Sequence, residues 1–341
     1  MNNKERLLTK IEIESIASRI SLKMFHGKRI LITGGTGMVG SYLVEALCSA
    51  CEIQGVVPKE VHLITRQGNY SKFSSQKGYK YVTVSDPAIT EGKGLRGFEY
   101  FIHAASPASP INYPRLSELI EVNVGMLEMM ITEETERVLY ISSGEIYGAD
   151  APAPVSEDYV GKIDPLVARS AYPLAKIEAE RVGAEICREL KIDFRIARLF
   201  HTFGPGVRED DGRSFADFLW QCARGNEPTL FSMGQDVRTF LYSEDAIVAM
   251  LNIVSNDKDI GPINVGSEEP VTILEFANRV SEISGHKGRV RYGTENVDYV
   301  ASPNHVIIPD TLKLRDLGWK QKITLDETIA RTLSWIMKQI D

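Results

Sequence analysis

The sequence predicts an α/β chain, a doubly wound parallel sheet with a smaller C-terminal α/β lobe. Three observations predict it. Short apolar strands alternate with amphipathic helices from residue 28 to about residue 200, the pattern of βαβ units. A glycine cluster, ITGGTGMVG, joins the first of those strands to the first of those helices. Beyond about residue 200 the texture changes to a polar, glycine-rich loop, HTFGPGVREDDGR, and shorter elements. The length of 341 residues also exceeds the usual size of one domain.

The first twenty residues, MNNKERLLTKIEIESIASRI, are charged throughout, unlike the apolar core of a signal peptide. Leu8, Ile11, Ile16 and Ile20 space out a short amphipathic helix. KRILITGG at 28–35 is the first strand, and in TGMVGSYLVEALCSA the residues Val39, Leu43, Val44 and Leu47 share a helical face. Strands follow at VHLIT (61–65), YKYVTVS (around 79–85) and YFIHAA (100–105). A helix through RLSELIEVNVGMLEMMI leads to the strand RVLYIS, and one through LAKIEAERVGAEICREL to the strand DFRIARLF. GPINVGSEEPVTILEFANRVSEISG reads as strand, turn and helix, with Thr272 as N-cap and Glu275 completing a capping box. TLKLRDLGW and TLDETIARTLSWIMKQI are helical. With no repeat and no low-complexity linker, the second lobe is expected to be built from excursions of the same chain.

A net charge of −7 argues against nucleic acid or an anionic membrane surface as partner, because both need a basic face. No apolar run approaches the roughly 20 residues of a membrane span; the longest, AIVAMLNIV, follows Glu244 and Asp245. The expected location is the cytoplasm. Cys48 and Cys51 form a C-x-x-C pair near the end of a helix, with no second pair to complete a metal site, so they and Cys187 and Cys222 read as packing residues.

In ITGGTGMVG the glycines stand at 34, 35, 37 and 40. They satisfy both G-x-G-x-x-G and G-x-x-G-x-x-G. Glycine there permits a tight turn, backbone approach to a pyrophosphate and close helix–strand packing, with the helix N-terminus facing the phosphates. Between a strand and a helix this is a Rossmann-type dinucleotide site. An acidic residue ending the second strand would select NAD, yet Thr65 and Arg66 stand there. Arg66 either accepts a 2′-phosphate, which makes NADP a candidate beside NAD, or is a solvated strand end. Asp86, ending the third strand, accepts from the adenine amino group or caps the turn before Pro87.

Tyr172 and Lys176, in AYPLAK, lie at i and i+4 and so stack on one helical face. A lysine beside a tyrosine is expected to lower the phenol's pKa and make tyrosinate accessible as a base. SSGEIYG, at 142–148, follows the buried-looking strand RVLYI and presents Ser143, Gly144 and Glu145 at its end.

TGGTGMVG, ISSGEIYG, AYPLAK and ARLFHTFGPG, in this order, resemble an extended short-chain dehydrogenase/reductase, the NAD-dependent epimerase/dehydratase branch that acts on nucleotide sugars. The resemblance spans residues 28 to about 335 and lies nearest to UDP-glucuronate decarboxylases and sugar-nucleotide 4,6-dehydratases. It implies that Ser143 hydrogen-bonds the sugar 4-hydroxyl, Tyr172 removes its proton, and Lys176 tunes Tyr172 and holds the nicotinamide ribose. Hydride then passes from C4, leaving a 4-keto sugar. It further implies cofactor contacts from Gly34, Gly37, Met38, Val39, Gly40 and Ala104. Asn123 resembles an asparagine whose backbone supports the catalytic helix. Ser106, Ser143, Gly144, His201 and Arg238 are the implied substrate contacts, Arg238 as a clamp on the diphosphate.

Glu145 is read as an active-site group. In 4,6-dehydratases an Asp–Glu pair fills the positions of Gly144 and Glu145, the aspartate protonating the departing 6-hydroxyl. Here that acid is missing, whereas decarboxylases resemble this sequence in keeping the glutamate after a small residue. His201 replaces the usual asparagine, and either donates to a phosphate or acts as an acid in place of the absent aspartate, or is a packed residue. Pro173 and the loop REDDGR also depart from the pattern. Decarboxylation of a uronic acid ranks first, then dehydration, then 4-epimerisation. A ketoreductase, or a dinucleotide-binding regulator without turnover, is the reading from another class. The expected division is a helical extension at 1–27, a dinucleotide-binding domain at 28–200 plus about 236–262, and a nucleotide-sugar lobe at 201–235 plus 263–341. The resemblance implies a homodimer through LSELIEVNVGMLEMM and AKIEAERVGAEIC.

Overall fold

The computed structural model describes residues 7–65, 81–85, 95–108, 115–258, 260–293 and 305–340. Its central sheet is parallel and comprises β1 (Arg29–Thr33), β2 (Glu60–Ile64), β3 (Val82–Ser85), β4 (Tyr100–His103), β5 (Arg137–Ser143), β6 (Asp193–Leu199) and β7 (Pro262–Val265). Their spatial order is β7-β6-β5-β4-β1-β2-β3. The order reverses between β1 and β4, which pair at Thr33↔His103, and ligand crevices open at such a switch point. Ile30, Leu31 and Ile32 of β1 are all buried, as in a strand covered on both faces.

The helices are α1 (Lys10–Arg19), α2 (Met38–Ile53), α3 (Leu116–Ile120), α4 (Met126–Met130), α5 (Ala171–Leu190), α6 (Ser214–Ala223), α7 (Ser243–Ser255), α8 (Ile273–Ile283), α9 (Leu312–Asp316) and α10 (Leu325–Ile340). On one face of the sheet Ile16, Leu43, Leu47, Ile247 and Leu251, from α1, α2 and α7, pack on Ile30 and Ile32. On the other, Leu119, Leu127, Ala179 and Cys187, from α3, α4 and α5, pack on Leu31, Phe101 and Val138. The second lobe has its own core of Phe203, Phe215, Phe218, Phe240 and Phe276 against Ile329 and Leu333 of α10. Leu314 and Trp319 pack in the first core, and Pro262–Val265 is the sheet's outer strand. The chain therefore re-enters the first lobe beyond residue 262.

Two elements differ from expectation. α1 forms, with a Thr9–Glu12 capping box, but Ile11 points outward at 76% exposure and Ile13 takes the inward place beside Ile16. The apolar stripe runs through i, i+3 and i+4 from residue 13. The helix expected through RLSELIEVNVGMLEMMI is interrupted at Glu121–Gly125, where one wider π-turn separates α3 from α4. The capping box expected at Thr272 and Glu275 is present at the start of α8, its two side chain–backbone bonds 2.8 and 3.1 Å long.

Candidate active site

A cleft of about 610 Å³ opens above the carboxyl ends of β1, β4 and β5 and runs into the second lobe. Its first wall is the glycine turn. Gly34 has φ +74°, and a Cβ there would lie 2.5 Å from the backbone nitrogen of Ala105. A Cβ on Gly40 would lie 2.1 Å from the carbonyl oxygen of Gly34. Gly37, the N-cap of α2, carries no side-chain cap, and a Cβ there would meet only Gly34 O, at 3.4 Å. The turn thus brings bare backbone and a helix N-terminus to the cleft, a cradle that fits a dinucleotide pyrophosphate. Met38, Val39, Ala104 and Ser106 line the same wall. Arg66 and Asp86 lie outside the described residues.

Beneath the turn is a buried hydrogen-bonded chain that the sequence does not reveal. Nε2 of His103 meets the Asn123 carbonyl at 3.2 Å, which can only accept, so Nε2 carries the proton and Nδ1 accepts from the Thr33 hydroxyl at 2.6 Å. Burial, and then the charge of Lys176, push the His103 pKa down to about 3, so the ring is neutral. The Asn123 side chain donates to Leu119 O at 2.8 Å and accepts from Tyr140 Oη at 3.1 Å. Asn123 sits inside the π-turn.

β5 delivers Ser143, whose hydroxyl accepts from the Glu145 N–H at 3.1 Å and caps the short 3-10 turn Gly144–Tyr147. Helix α5 delivers Tyr172 and Lys176, both lining the cleft with Ser143 and Glu145. The Lys176 ammonium donates to Ile141 O at 2.7 Å and stands 4.8 Å from the centre of the Tyr140 ring and 5.8 Å from that of Tyr172. Burial lowers its pKa to about 7. The expected depression of the phenol is not present. Burial and then the Glu145 charge push Tyr172 well up, and its hydrogen bond to Ser143 and the Arg213 charge offset this only in part. Lys176, itself half neutralised near pH 7 and turned to a carbonyl, does not reverse the balance.

At the far side His201 stands edge-on to Phe240, ring centres 5.8 Å apart, and among the described residues its Nδ1 has no hydrogen-bond partner. Burial first, then Arg238, Arg213 and Arg169, lower its pKa to about 3. It is a neutral imidazole, which argues against an imidazolium acid and leaves one ring N–H able to donate to a phosphate. Arg238 is buried, donating to Val237 O at 2.9 Å and His305 O at 3.3 Å. Gly144 faces the Phe200 ring, 2.8 Å from where its Cβ would be.

Residues that the sequence did not single out also line the cleft: Arg169, Phe200, Asp211, Arg213 and Asp217. Asp217 is pushed up to about 6 by burial and then by Asp211. Asp211 and Arg213 fall in the unusual loop REDDGR, the one signal that could have found them. The cysteines are buried and unpaired, and burial followed by the Glu52 charge pushes the Cys51 thiol up to about 12. Among the described residues no cluster of ligands could hold a metal ion, and no helix is long and apolar enough to cross a membrane.

Residues 30–266 match the NAD dependent epimerase/dehydratase family. UDP-glucuronic acid decarboxylase 5 of Arabidopsis thaliana is 31% identical over 306 residues, covering 88% of this chain and 86% of the relative. UDP-glucuronic acid decarboxylase 1 of Xenopus tropicalis is 28% identical over 321 residues, 92% of this chain and 73% of the relative. The fold is shared with UDP-glucose 4-epimerase of Thermotoga maritima (TM-score 0.78, 22% identity, 92% of this chain and 100% of that one). It is shared also with UDP-glucuronic acid 4-epimerase of Bacillus cereus, solved with UDP-glucuronic acid and NAD (TM-score 0.75, 22% identity, again 92% and 100%).

Proposed function

The chain belongs to the NAD-dependent epimerase/dehydratase family, and from that premise we propose that it decarboxylates a nucleoside-diphosphate uronic acid, UDP-glucuronate foremost, through a 4-keto intermediate. The observation that carries the reading is the pair Gly144 and Glu145. A carboxylate follows a position with no room for a side chain, because the Phe200 ring fills it. Elimination of a 6-hydroxyl needs a proton donor at that position. A 4-keto uronic acid needs none: it is a β-keto acid, its C5–C6 bond breaks, CO2 leaves, and the electron pair is delocalised onto O4. His201, neutral, does not replace the donor. The decarboxylases among the relatives support the same choice.

In this reading Ser143 holds the sugar 4-hydroxyl, and Tyr172 accepts its proton once the positive charge of bound NAD offsets the burial and the Glu145 charge that raise the phenol. The glycine turn at Gly34–Gly40 and Lys176 would hold NAD, which would supply a reversible hydride acceptor for C4. Glu145 relays a proton from water to C5, where it takes the place of the departed CO2, and Arg238 holds the diphosphate. The protein works as a cytoplasmic homodimer. Its four unpaired cysteines fit a reducing compartment. Leu116, Ile120, Met129 and Ile177, on α3, α4 and α5, are each 36–42% exposed and form the apolar surface through which two copies pair.

Mass spectrometry of sugar nucleotides incubated with the protein, with NAD and NADP in parallel, tests the reading. The expected outcome is loss of CO2 from UDP-glucuronate with NAD. Loss of water from a hexose, or an unchanged mass across the panel, would overturn it.

A further inference from the structure

Arg213 is left without a task by the steps above. It occupies the N-cap of α6 without a side-chain cap bond, at the end of a helix where a positive charge opposes the dipole. Helix capping therefore gives no reason for a cation there. Asp211 holds it in a side-on fork, Nε to Oδ1 at 2.5 Å and Nη2 to Oδ2 at 2.7 Å. The guanidinium also lies 4.9 Å from the centre of the Phe215 ring. A guanidinium has five N–H donors. The fork engages two of them on the Nε edge and leaves the Nη1–Nη2 edge, where Nη1 has no acceptor among the described residues. That edge belongs to a side chain lining the cleft.

Its position in the cleft is between the two ends of the chemistry. The Arg213 charge acts on Tyr172 on one side and on His201 on the other. His201 also feels Arg238 and Arg169. Arg238 has Asp236 beside it at 3.5 Å; of the three guanidiniums Arg213 is the one that acts on the Tyr172 phenol, and it also feels the Glu145 carboxylate.

We propose that the remaining edge of Arg213 receives the carboxylate of the sugar, so that Arg213, set in place by Asp211, selects uronic acids over neutral hexoses. The assignment rests on the uronic-acid reading above. A forked guanidinium–carboxylate contact is planar and charge-assisted, which suits a carboxylate and not a hydroxymethyl group. It stabilises the bound carboxylate and not the departing CO2, so it contributes to substrate binding and not to the bond-breaking step. Loss of the contact should therefore raise KM, and raise kcat with it where the bond-breaking step limits turnover.

The test is binding of UDP-glucuronate, UDP-glucose and UDP to the NAD-loaded full chain by calorimetry, in a Tyr172→Phe background that blocks turnover. With Arg213 present, UDP-glucuronate binds more tightly than UDP-glucose. Arg213→Met weakens UDP-glucuronate by about 10- to 100-fold, the size of a lost charged hydrogen-bonded pair, and leaves UDP-glucose and UDP unchanged. Arg213→Lys, which keeps the charge without the fork, falls between. An equal loss for all three ligands would assign Arg213 to the diphosphate and overturn the inference, as would a preference for UDP-glucuronate that survives in both variants. Absence of CO2 release by the unaltered protein would instead remove the decarboxylase reading. An Arg213-dependent preference for the carboxylated sugar would still stand in that case.

Discussion

Lys176 shows how far surroundings can move a residue from its ordinary chemistry. An ammonium under α5, bonded to one carbonyl and faced by two aromatic rings, has a pKa lowered from 10.5 to about 7. The sign for stability follows from linkage. Below pH 7 both folded and unfolded states carry the proton, and the folded state bears the full penalty of a buried cation. Between pH 7 and 10.5 the folded state sheds its proton first and the penalty is relieved. Lys176→Met removes that contribution, so without cofactor the variant should be more stable than the parent at pH 7 and the two should converge by pH 10. Thermal unfolding across that range checks it, and a difference independent of pH would refute it. The i, i+4 pairing of Tyr172 with Lys176 was legible in the sequence because it depends on helical geometry alone. The direction of the phenol's shift was not, because it depends on burial and on Glu145, a residue from another element.

At the scale of elements, the π-turn at Glu121–Gly125 is the feature with the most consequence. One extra residue in the turn carries Asn123 inward, so that its carbonyl meets His103 while its side chain bridges Leu119 and Tyr140. The three contacts tie α3 to β4 and β5, two of the strands whose ends line the cleft. Asn123→Ala leaves the buried Tyr140 hydroxyl without its partner and removes the side-chain bond to Leu119 O. It should destabilise the fold by about 1–3 kcal/mol, read as a lower urea midpoint with unchanged m-value; an unchanged midpoint would show the bridge to be idle. One continuous helix is expected here from the sequence, although Val, Asn and Gly are weak helix formers. The wider turn is favoured only by partners that lie far away in sequence. The capping box of Thr272, by contrast, is local, and the spacing of two residues was enough to predict it.

At the scale of the whole molecule, α1 ties the two lobes together although it precedes the stretch matched by the family, residues 30–266. Buried Glu12 accepts from the hydroxyls of Tyr242 and, at 3.4 Å, Tyr42, and lies 3.6 Å from Arg331 of α10. Arg19 meets Asp245 at 2.7 Å, and Ser15 donates to Glu244 at 2.6 Å, both acids at the start of α7. Glu12→Ala removes the acceptor shared by two buried hydroxyls, while Arg331 keeps Glu244 at 3.4 Å, with an expected loss of about 1–3 kcal/mol. Equilibrium urea unfolding measures it, and a loss within a few tenths would mean that α1 is only packed there.

What the sequence determined by itself were the features written in short-range spacing. The alternation of apolar strand and amphipathic helix set the doubly wound sheet, the glycine pattern at 34–40 set the tight turn at the head of α2, and the Tyr172–Lys176 interval set the face of α5 that lines the cleft. What tertiary structure alone decided is everything made by groups from separate segments: the Phe200 ring that leaves Gly144 no side chain, the neutrality of His201 among three arginines, and the fork that aims Arg213. The physical reason is range. Backbone periodicity and capping act within a few residues, whereas burial and Coulomb fields are set by whatever packing brings within several ångströms. Those fields choose the reaction on a cofactor site whose glycine pattern was already legible in the sequence.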